Sequence, residues 1–357
     1  MQVYTYDRLY QFTYQVLISM GHSEKHAKEA SDVLLSADLR GVDSHGVARL
    51  IGYARLFEAG RVNAKPQISI AYETPSTAVV DGDRALGLVV APEAMRIAMK
   101  KAKTVGTGWV SVKNSNHYGI AGYHAMMALE EDMIGISMTN ASPLVAPTFS
   151  TERLLGTNPI AVAVPAKNQP PFVADMATTT AANGKLEILQ RKGEQAPQGW
   201  IQNKEGASST NPYELKEGGA LLPLGGDKEH GSHKGYCLAS IVDIFSAILS
   251  GANYGPWVPP FVSFLPLVDN PVGDGIGHFF GAMRIDAFRP KEDFLSHMDN
   301  WIGRFRESST TKDQKNVIIP GDPERDMEKK RKEGGIPLLE PVVKDLKSLG
   351  VKYGIEL

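Results

Sequence analysis

The chain contains a single cysteine, Cys237, among 357 residues, so no intrachain disulfide can form. That fits a reducing compartment and sets aside the small secreted scaffolds that depend on cystine. Net charge is also scarce: 38 Lys and Arg against 40 Asp and Glu leave −2. No global field therefore draws nucleic acid or an anionic membrane, and any anion site must be local. Long apolar runs are missing too. The most apolar stretch, 256–268, carries four prolines and falls short of the roughly 20 residues that a spanning helix needs. It reads as a buried, extended segment. The first residues, Met-Gln-Val-Tyr-Thr-Tyr-Asp, lack a basic stretch followed by an apolar one, and the cytoplasm is the expected location.

Each missing motif removes a chemistry. No G-x-G-x-x-G links a strand to a helix; the nearest string, Gly275 to Gly281, has one residue too many and leads into strand-like sequence. The P-loop fails because Gly226 to Gly231 is followed by Ser232-His233 instead of Lys-Ser/Thr. Neither H-E-x-x-H nor G-x-S-x-G occurs. His230-x-x-His233 brings two imidazoles near each other, but a glycine-rich loop holding them is more often exposed than metallated, and no metal is expected.

What is present is an ordinary globular composition, 42% hydrophobic and 22% charged, enough for two domains or one large one. Three helices are expected first: Tyr6 to Met20, a second capped by Ser23 and running to Leu39, and a third from Ser44 to Glu58. A hairpin follows, Gln67 to Glu73 and Thr77 to Val80 around a Thr-Pro-Ser turn. Helices and strands then alternate: a helix opened by Pro92 and ending at Lys103, a strand Gly108 to Val112, a helix Tyr118 to Glu131, and a strand Met133 to Met138. Pro159 to Val164 and Pro171 to Ala174 read as short strands, and Ala181 to Arg191 as a helix. Residues 193–232 read mainly as loop, Lys234 to Leu249 as a buried helix, Gly277 to Ile285 as a strand and Lys291 to Arg306 as a helix. In the run Glu324 to Glu333 basic and acidic residues interleave, as on a solvated helix face.

Two histidine motifs carry the chemistry. Asp43-Ser44-His45-Gly46 leads to Arg49 and Tyr53, which on a continuous helix would share one face with His45. Asn114-Ser115-Asn116-His117-Tyr118-Gly119 sets His117 just after a strand, where ligands commonly bind in α/β proteins. Imidazole exchanges a proton near neutrality, and guanidinium holds a carboxylate through two parallel hydrogen bonds, so the pairing points to a small acid.

These motifs, with Gly156-Thr157-Asn158-Pro159, Asp175-Met176-Ala177-Thr178, Gly231-Ser232-His233-Lys234-Gly235-Tyr236 and Pro320-Gly321-Asp322-Pro323-Glu324, resemble the malate/L-lactate dehydrogenase family in order across nearly the whole chain. That family includes L-sulfolactate and ureidoglycolate dehydrogenases. The resemblance implies an α/β, mixed-sheet fold of the L-sulfolactate dehydrogenase kind, without a Rossmann fingerprint and with N-terminal helices. It divides the chain into an N-terminal helical segment (1–65), a first α/β part (66–120) on which C-terminal helices (286–357) pack, and a nucleotide-binding α/β part (121–285).

It further implies His117 as proton acceptor and donor, His45 as the second candidate for that role, and Arg49 on the substrate carboxylate. Ser44 and Tyr53 would touch substrate. Asn140, Asp175, Met176, Ala177, Thr178, His233, Lys234, Gly321 and Glu324 would approach NAD, with NADP as the alternative. A homodimer is implied, the N-terminal helices being candidates for its interface. Malate and oxaloacetate are the expected pair. Lactate, sulfolactate or a cyclic imino acid are alternatives within the family, and a metal-dependent hydrolase using His230 and His233 is the alternative of another class.

Overall fold

The computed structural model describes residues 1–357, the side chain of Arg191 excepted. Strand β1 (Gln2–Tyr4) opens the chain, followed by helices α1 (Tyr6–Ser19), α2 (Glu24–Leu39) and α3 (Leu50–Glu58). Thr5 and Ser23 accept the backbone N–H groups of Arg8 and His26, satisfying donors that a helix start leaves free. Leu9, Phe12 and Val16 recur at helical spacing on α1 and are buried.

Strands β2 (Ser69–Glu73) and β3 (Thr77–Asp81) form the expected hairpin, then come α4 (Gly87–Val105), β4 (Thr107–Ser115), α5 (Ala121–Met126), β5 (Met133–Thr139), β6 (Ile160–Val164), β7 (Phe172–Met176) and α6 (Asn183–Lys192). Within the loop-rich 193–232 region lie three two-residue strands, β8 (Ile201–Gln202), β9 (Ser208–Ser209) and β10 (Ala220–Leu221), paired as β10-β8-β9. The chain ends with α7 (Ser232–Asp243), β11 (Ile276–Arg284), α8 (Lys291–Arg306), α9 (Asp322–Gly334), β12 (Ile336–Leu338) and α10 (Glu340–Tyr353).

Several expectations need correction. The helix expected from Ser44 begins at Leu50, after a 3-10 turn over Val47–Arg49. The Asp38 carboxylate of α2 accepts the Val47 N–H at 2.8 Å, so a tertiary acid orients this start. Helix α4 begins at Gly87 and holds Pro92 inside it, where burial of Leu88, Val89, Val90 and Ala91 offsets one missing hydrogen bond. The helix expected from Tyr118 is α-helical only over Ala121–Met126 and continues as a 3-10 turn to Glu131. The helix expected to be buried from Lys234 turns into a π-helical segment, Ile244–Ile248, and exposes Tyr236, Ile241, Ile244, Phe245, Ile248 and Leu249. In the proline-rich stretch Val258 and Phe261 are buried, while Phe264, Leu267 and Val268 are exposed.

The C-terminal helices, expected to pack on 66–120, take their main contacts elsewhere: α9 lies on α2, and α10 on α1 and α3. Antiparallel pairing of β1 with β12 brings the two chain ends together and delivers Val343, Leu346 and Leu349 to the core of Leu9, Phe12 and Leu34. Among the described residues no helix is long and apolar enough to cross a membrane.

Among the described residues the largest sheet has seven strands in the order β2-β3-β4-β11-β5-β6-β7, with β3 and β4 parallel and the other pairs antiparallel. Strand β11 comes from far along the chain and lies between β4 and β5, antiparallel to both, so β4 and β5 run the same way. Two further reversals through β6 give β7 that direction as well. The carboxyl ends of β4, β5 and β7 therefore share one edge of the sheet, as does the start of β6. His117, Asn140, Asp175 and Thr157, far apart in sequence, follow or precede those ends. Topology alone gathers them.

Candidate active site

At this edge a cleft is lined by His45, Arg49, His117, Asn140, Gly184 and Phe261, among others. His117 Nδ1 lies 2.6 Å from the Tyr53 hydroxyl and 3.4 Å from the Gly119 N–H. An amide can only donate, so both contacts are satisfied when Nδ1 accepts and the proton sits on Nε2. Phe261 stacks on the imidazole, ring centroids 4.6 Å apart, and His45 covers it at 5.5 Å. Burial is the main cause that holds the His117 pKa well below its usual 6.5, with the charges of His45, Arg49 and His278 adding to it. His45 is pushed down to about 3, by burial first and Arg49 second. Both rings are neutral at pH 7, and an anion seated beside Arg49 would make protonation easier.

Ser44 organises the other side. Its hydroxyl lies 2.8 Å from His45 Nδ1, and its carbonyl accepts from Arg49 Nε at 2.5 Å. Arg49 Nη2 stands 3.9 Å from Glu187 on α6. The first turn of α6 presses close: a Cβ on Gly184 would come within 2.6 Å of Ser44 Cβ and 3.4 Å of Arg49 Nη2. A guanidinium beside a helix N-terminus is a carboxylate-binding arrangement, because both offer N–H donors and positive potential.

The structure brings His45, Arg49, Ser44 and His117 together although the shared helical face is absent. Tyr53, expected to touch substrate, is fully buried behind His117, and burial raises its pKa, so it is a neutral phenol. The Asn140 side chain is committed within the protein: its amide donates to Asp243 and the Asn253 carbonyl and accepts from Gly277 N–H. The Thr178 hydroxyl likewise donates to the carbonyls of Thr157 and Asn158. These two residues can meet a ligand through backbone or contact surface.

Asp175 accepts the Gly122 N–H at 2.8 Å through Oδ2, and among the described residues its Oδ1 has no hydrogen-bond partner. The next residue, Met176, is exposed, and Ala177 is half-buried. The Pro320 carbonyl accepts Val173 N–H at 3.0 Å, setting Gly321 beside the start of β7, and the Glu324 charge acts on Asp175 near its end. His233 and Lys234 lie on the first turn of α7, linked to Thr178 through Leu224, whose N–H donates to the Thr178 carbonyl and whose backbone packs on Gly235. Lys234 is exposed, and His233 Nδ1 is buried without a partner among the described residues. His230 pairs instead with Asp227 at 2.6 Å. Among the described residues no three His, Cys, Asp or Glu side chains cluster as a metal site, which a hydrolase at His230 and His233 would need.

Sequence reasoning missed Phe261, Glu187 and Gly184. The proline pair before Phe261 marked a stiff loop, but nothing local says that it folds onto an imidazole.

A family model described as malate/L-lactate dehydrogenase matches residues 4–347. Malate dehydrogenase of Pyrococcus horikoshii is 45% identical over 98% of this chain and 95% of that protein. The crystal structure of malate dehydrogenase from Entamoeba histolytica superposes with a TM-score of 0.92 at 34% identity, covering 100% of this chain and 99% of that one. Sulfolactate dehydrogenase from Methanocaldococcus jannaschii gives 0.89 at 36% identity, covering 99% and 98%.

Proposed function

The chain belongs to the malate/L-lactate dehydrogenase family, and from that premise we propose that it interconverts malate and oxaloacetate at the His117 cleft. It is a hydroxy-acid dehydrogenase, an enzyme type that works with a nicotinamide cofactor. The observation that carries the reading is one neutral imidazole, His117, backed by Tyr53 and set in the same cleft as the carboxylate-binding Arg49.

With its proton moved to Nδ1 and donated to the Tyr53 oxygen, neutral His117 has Nε2 free to take the hydroxyl proton during oxidation. The imidazolium so formed returns the Nε2 proton to the keto oxygen during reduction, within hydrogen-bond reach of that oxygen. The Tyr53 hydroxyl both donates and accepts, so it can follow the proton between the two ring nitrogens. Arg49 and the first turn of α6 hold the C1 carboxylate and thereby set the angle of attack. Ser44 keeps Arg49 and His45 in place, and Phe261 keeps water off the ring. His45 is the second candidate for the proton role. Arg55 lines the adjoining outer cavity with Arg49, and this second cation suits the distal carboxylate of malate better than the methyl group of lactate.

The nicotinamide nucleotide supplies and accepts the hydride. Supporting its place along residues 121–285 and the start of α9 are the unpartnered Asp175 oxygen, the orphaned His233 nitrogen and the Lys234 cation on the first turn of α7. The acidic pair of Asp175 and Glu324 suits free ribose hydroxyls and opposes a 2′-phosphate, so NAD is proposed over NADP. The apolar face from Tyr236 to Leu249 is the proposed homodimer contact, in place of the N-terminal helices. A reducing cytoplasm suits the one free, exposed cysteine.

The test is consumption of NADH and NADPH with oxaloacetate, pyruvate, sulfopyruvate and a cyclic imino acid. Fastest turnover with NADH and oxaloacetate is expected; turnover with pyruvate alone would overturn the malate assignment.

A further inference from the structure

The charged run Glu324 to Glu333, which reads in sequence as a solvated face, is not solvated throughout: Arg331, near the end of α9, is 7% exposed. Its guanidinium forks onto Asp43, Nη1 to Oδ1 at 2.5 Å and Nη2 to Oδ2 at 3.2 Å, and Nη1 also donates to the Asp38 carbonyl. Asp38 is 1% exposed and reaches across to the Val47 N–H. Its carboxylate rests against the α-carbon of Gly46, where a Cβ would overlap it. Residues 43–47, which carry Ser44 and His45, are thus held between α2 and α9, by the charge-assisted Arg331–Asp43 fork on one side and on the other by the Asp38 carboxyl, whose pKa burial pushes up to about 8. Two backbone bonds complete the turn, His45 N–H to Val42 carbonyl and Arg49 N–H to Gly46 carbonyl, both 2.9 Å.

One turn earlier on α9, Glu328 pairs with Arg40 of α2 at 3.3 Å. Earlier still, the charges of Glu324 and Arg40 act on Asp175 in opposite senses. A single helix therefore acts on the charge of Asp175 from its first turn and holds the His45 turn from its last, Glu324 and Arg331 being about 10 Å apart at 1.5 Å per residue.

We propose that Arg331 is a positioning residue: through Asp43 and Asp38 it holds the Ser44–Arg49 turn, and so His45 and Arg49, in register with His117. It makes no contact with substrate and acts through the turn alone. The inference rests on the proposed function for its kinetic consequence, while the clamp itself can be read without activity.

The experiment uses full-length Arg331→Met, Arg331→Lys and Asp43→Asn. Amide hydrogen exchange is followed by peptide, and steady-state kinetics are measured with oxaloacetate and NADH. Arg331→Met is expected to speed exchange in residues 42–49 while α1 is unchanged, and to lower kcat/KM for oxaloacetate on the order of 10- to 100-fold, because small misplacements of reacting groups carry such losses. The KM for NADH should stay within about twofold, which a general loss of folding would not produce, and Arg331→Lys should recover part of the loss. Should Arg331→Met fail to fold, Asp43→Asn carries the same two readouts with a smaller change. Unchanged exchange over 42–49 with wild-type kinetics would overturn the proposal, as would a defect confined to the KM for NADH. A wild type inactive on every acid would sink the proposed function, and faster exchange in the variants would still uphold the clamp.

Discussion

The two ends of the cleft are built in opposite ways. Around His117 the side chains hold one another: Tyr53 sits behind it, Ser44 lies between His45 and Arg49, Glu187 stands at the guanidinium, and Phe261 and His45 stack on the ring. At the end of β7 and the start of α7, Asp175 keeps a free oxygen, His233 a bare nitrogen, and Lys234 and Met176 lie in solvent. The first end is pre-organised for a charge that develops during reaction, where fixed groups in a dry site act most strongly. The second waits for a large ligand to supply its partners. Substitutions at the first should therefore act on turnover, and at the second on cofactor affinity.

The sharpest way to break that division is Arg49→Met, expected to lower kcat/KM for oxaloacetate about 100-fold, the equivalent of a lost charged hydrogen bond of about 2–3 kcal/mol, with NADH affinity unchanged. The same variant tests the electrostatics. Because His117 is held below 6.5, malate oxidation, which needs the neutral ring, should stay level above pH 6.5 and fall only under it. Removing the guanidinium takes away one cause of that lowering, so the acid limb should move up toward 6.5; a limb that stays put would show that Arg49 does not act on the ring.

Next in size is Tyr53→Phe, expected to lower kcat about tenfold without changing either KM, since a buried partner of the base is lost and no substrate contact is. A rise in the KM for the acid would return Tyr53 to the cleft. Smaller again is Asp175→Asn, for which the KM for NADH should rise a few-fold, about 1 kcal/mol of hydrogen bonding, at constant kcat. Preference for NADH over NADPH should narrow in the same variant.

Stability sharpens the comparison from another side. His22 and His124 are pushed down to about 4, and His45 and His278 to about 3, all chiefly by burial. The unfolded chain takes up these protons near 6.5 while the folded one resists them, so this contribution is whole above pH 6.5 and is lost as pH falls toward 3 to 4. Melting temperature should drop through that window, and a flat profile would mean that the rings are hydrated.

Much of this was legible in the sequence. The cap at Ser23, the Thr-Pro-Ser hairpin and the strand before His117 follow from local chemistry, and the structure holds them. What escaped is tertiary. Helix α3 starts late because Asp38, nine residues back, claims the Val47 N–H. Tyr53 meets His117 by packing rather than by helical periodicity with His45, and Phe261 arrives from a loop over 140 residues downstream of His117. The buried reading of residues 234–249 failed because apolar content does not say whether a face is covered by the same chain. Arg331 escaped because interleaved charge hides a residue whose partners lie on another helix.

The central claim is that His117 carries the proton while binding of the cofactor belongs to the far end. It is tested most directly by measuring NADH affinity and oxaloacetate turnover on the same samples of wild type, His117→Ala and His45→Ala. The account predicts that His117→Ala binds NADH as wild type does and loses kcat by about 1,000-fold, within the range for a general acid or base, with a lesser loss for His45→Ala. Turnover near wild type in His117→Ala, or a loss that His45→Ala matches or exceeds, would contradict it.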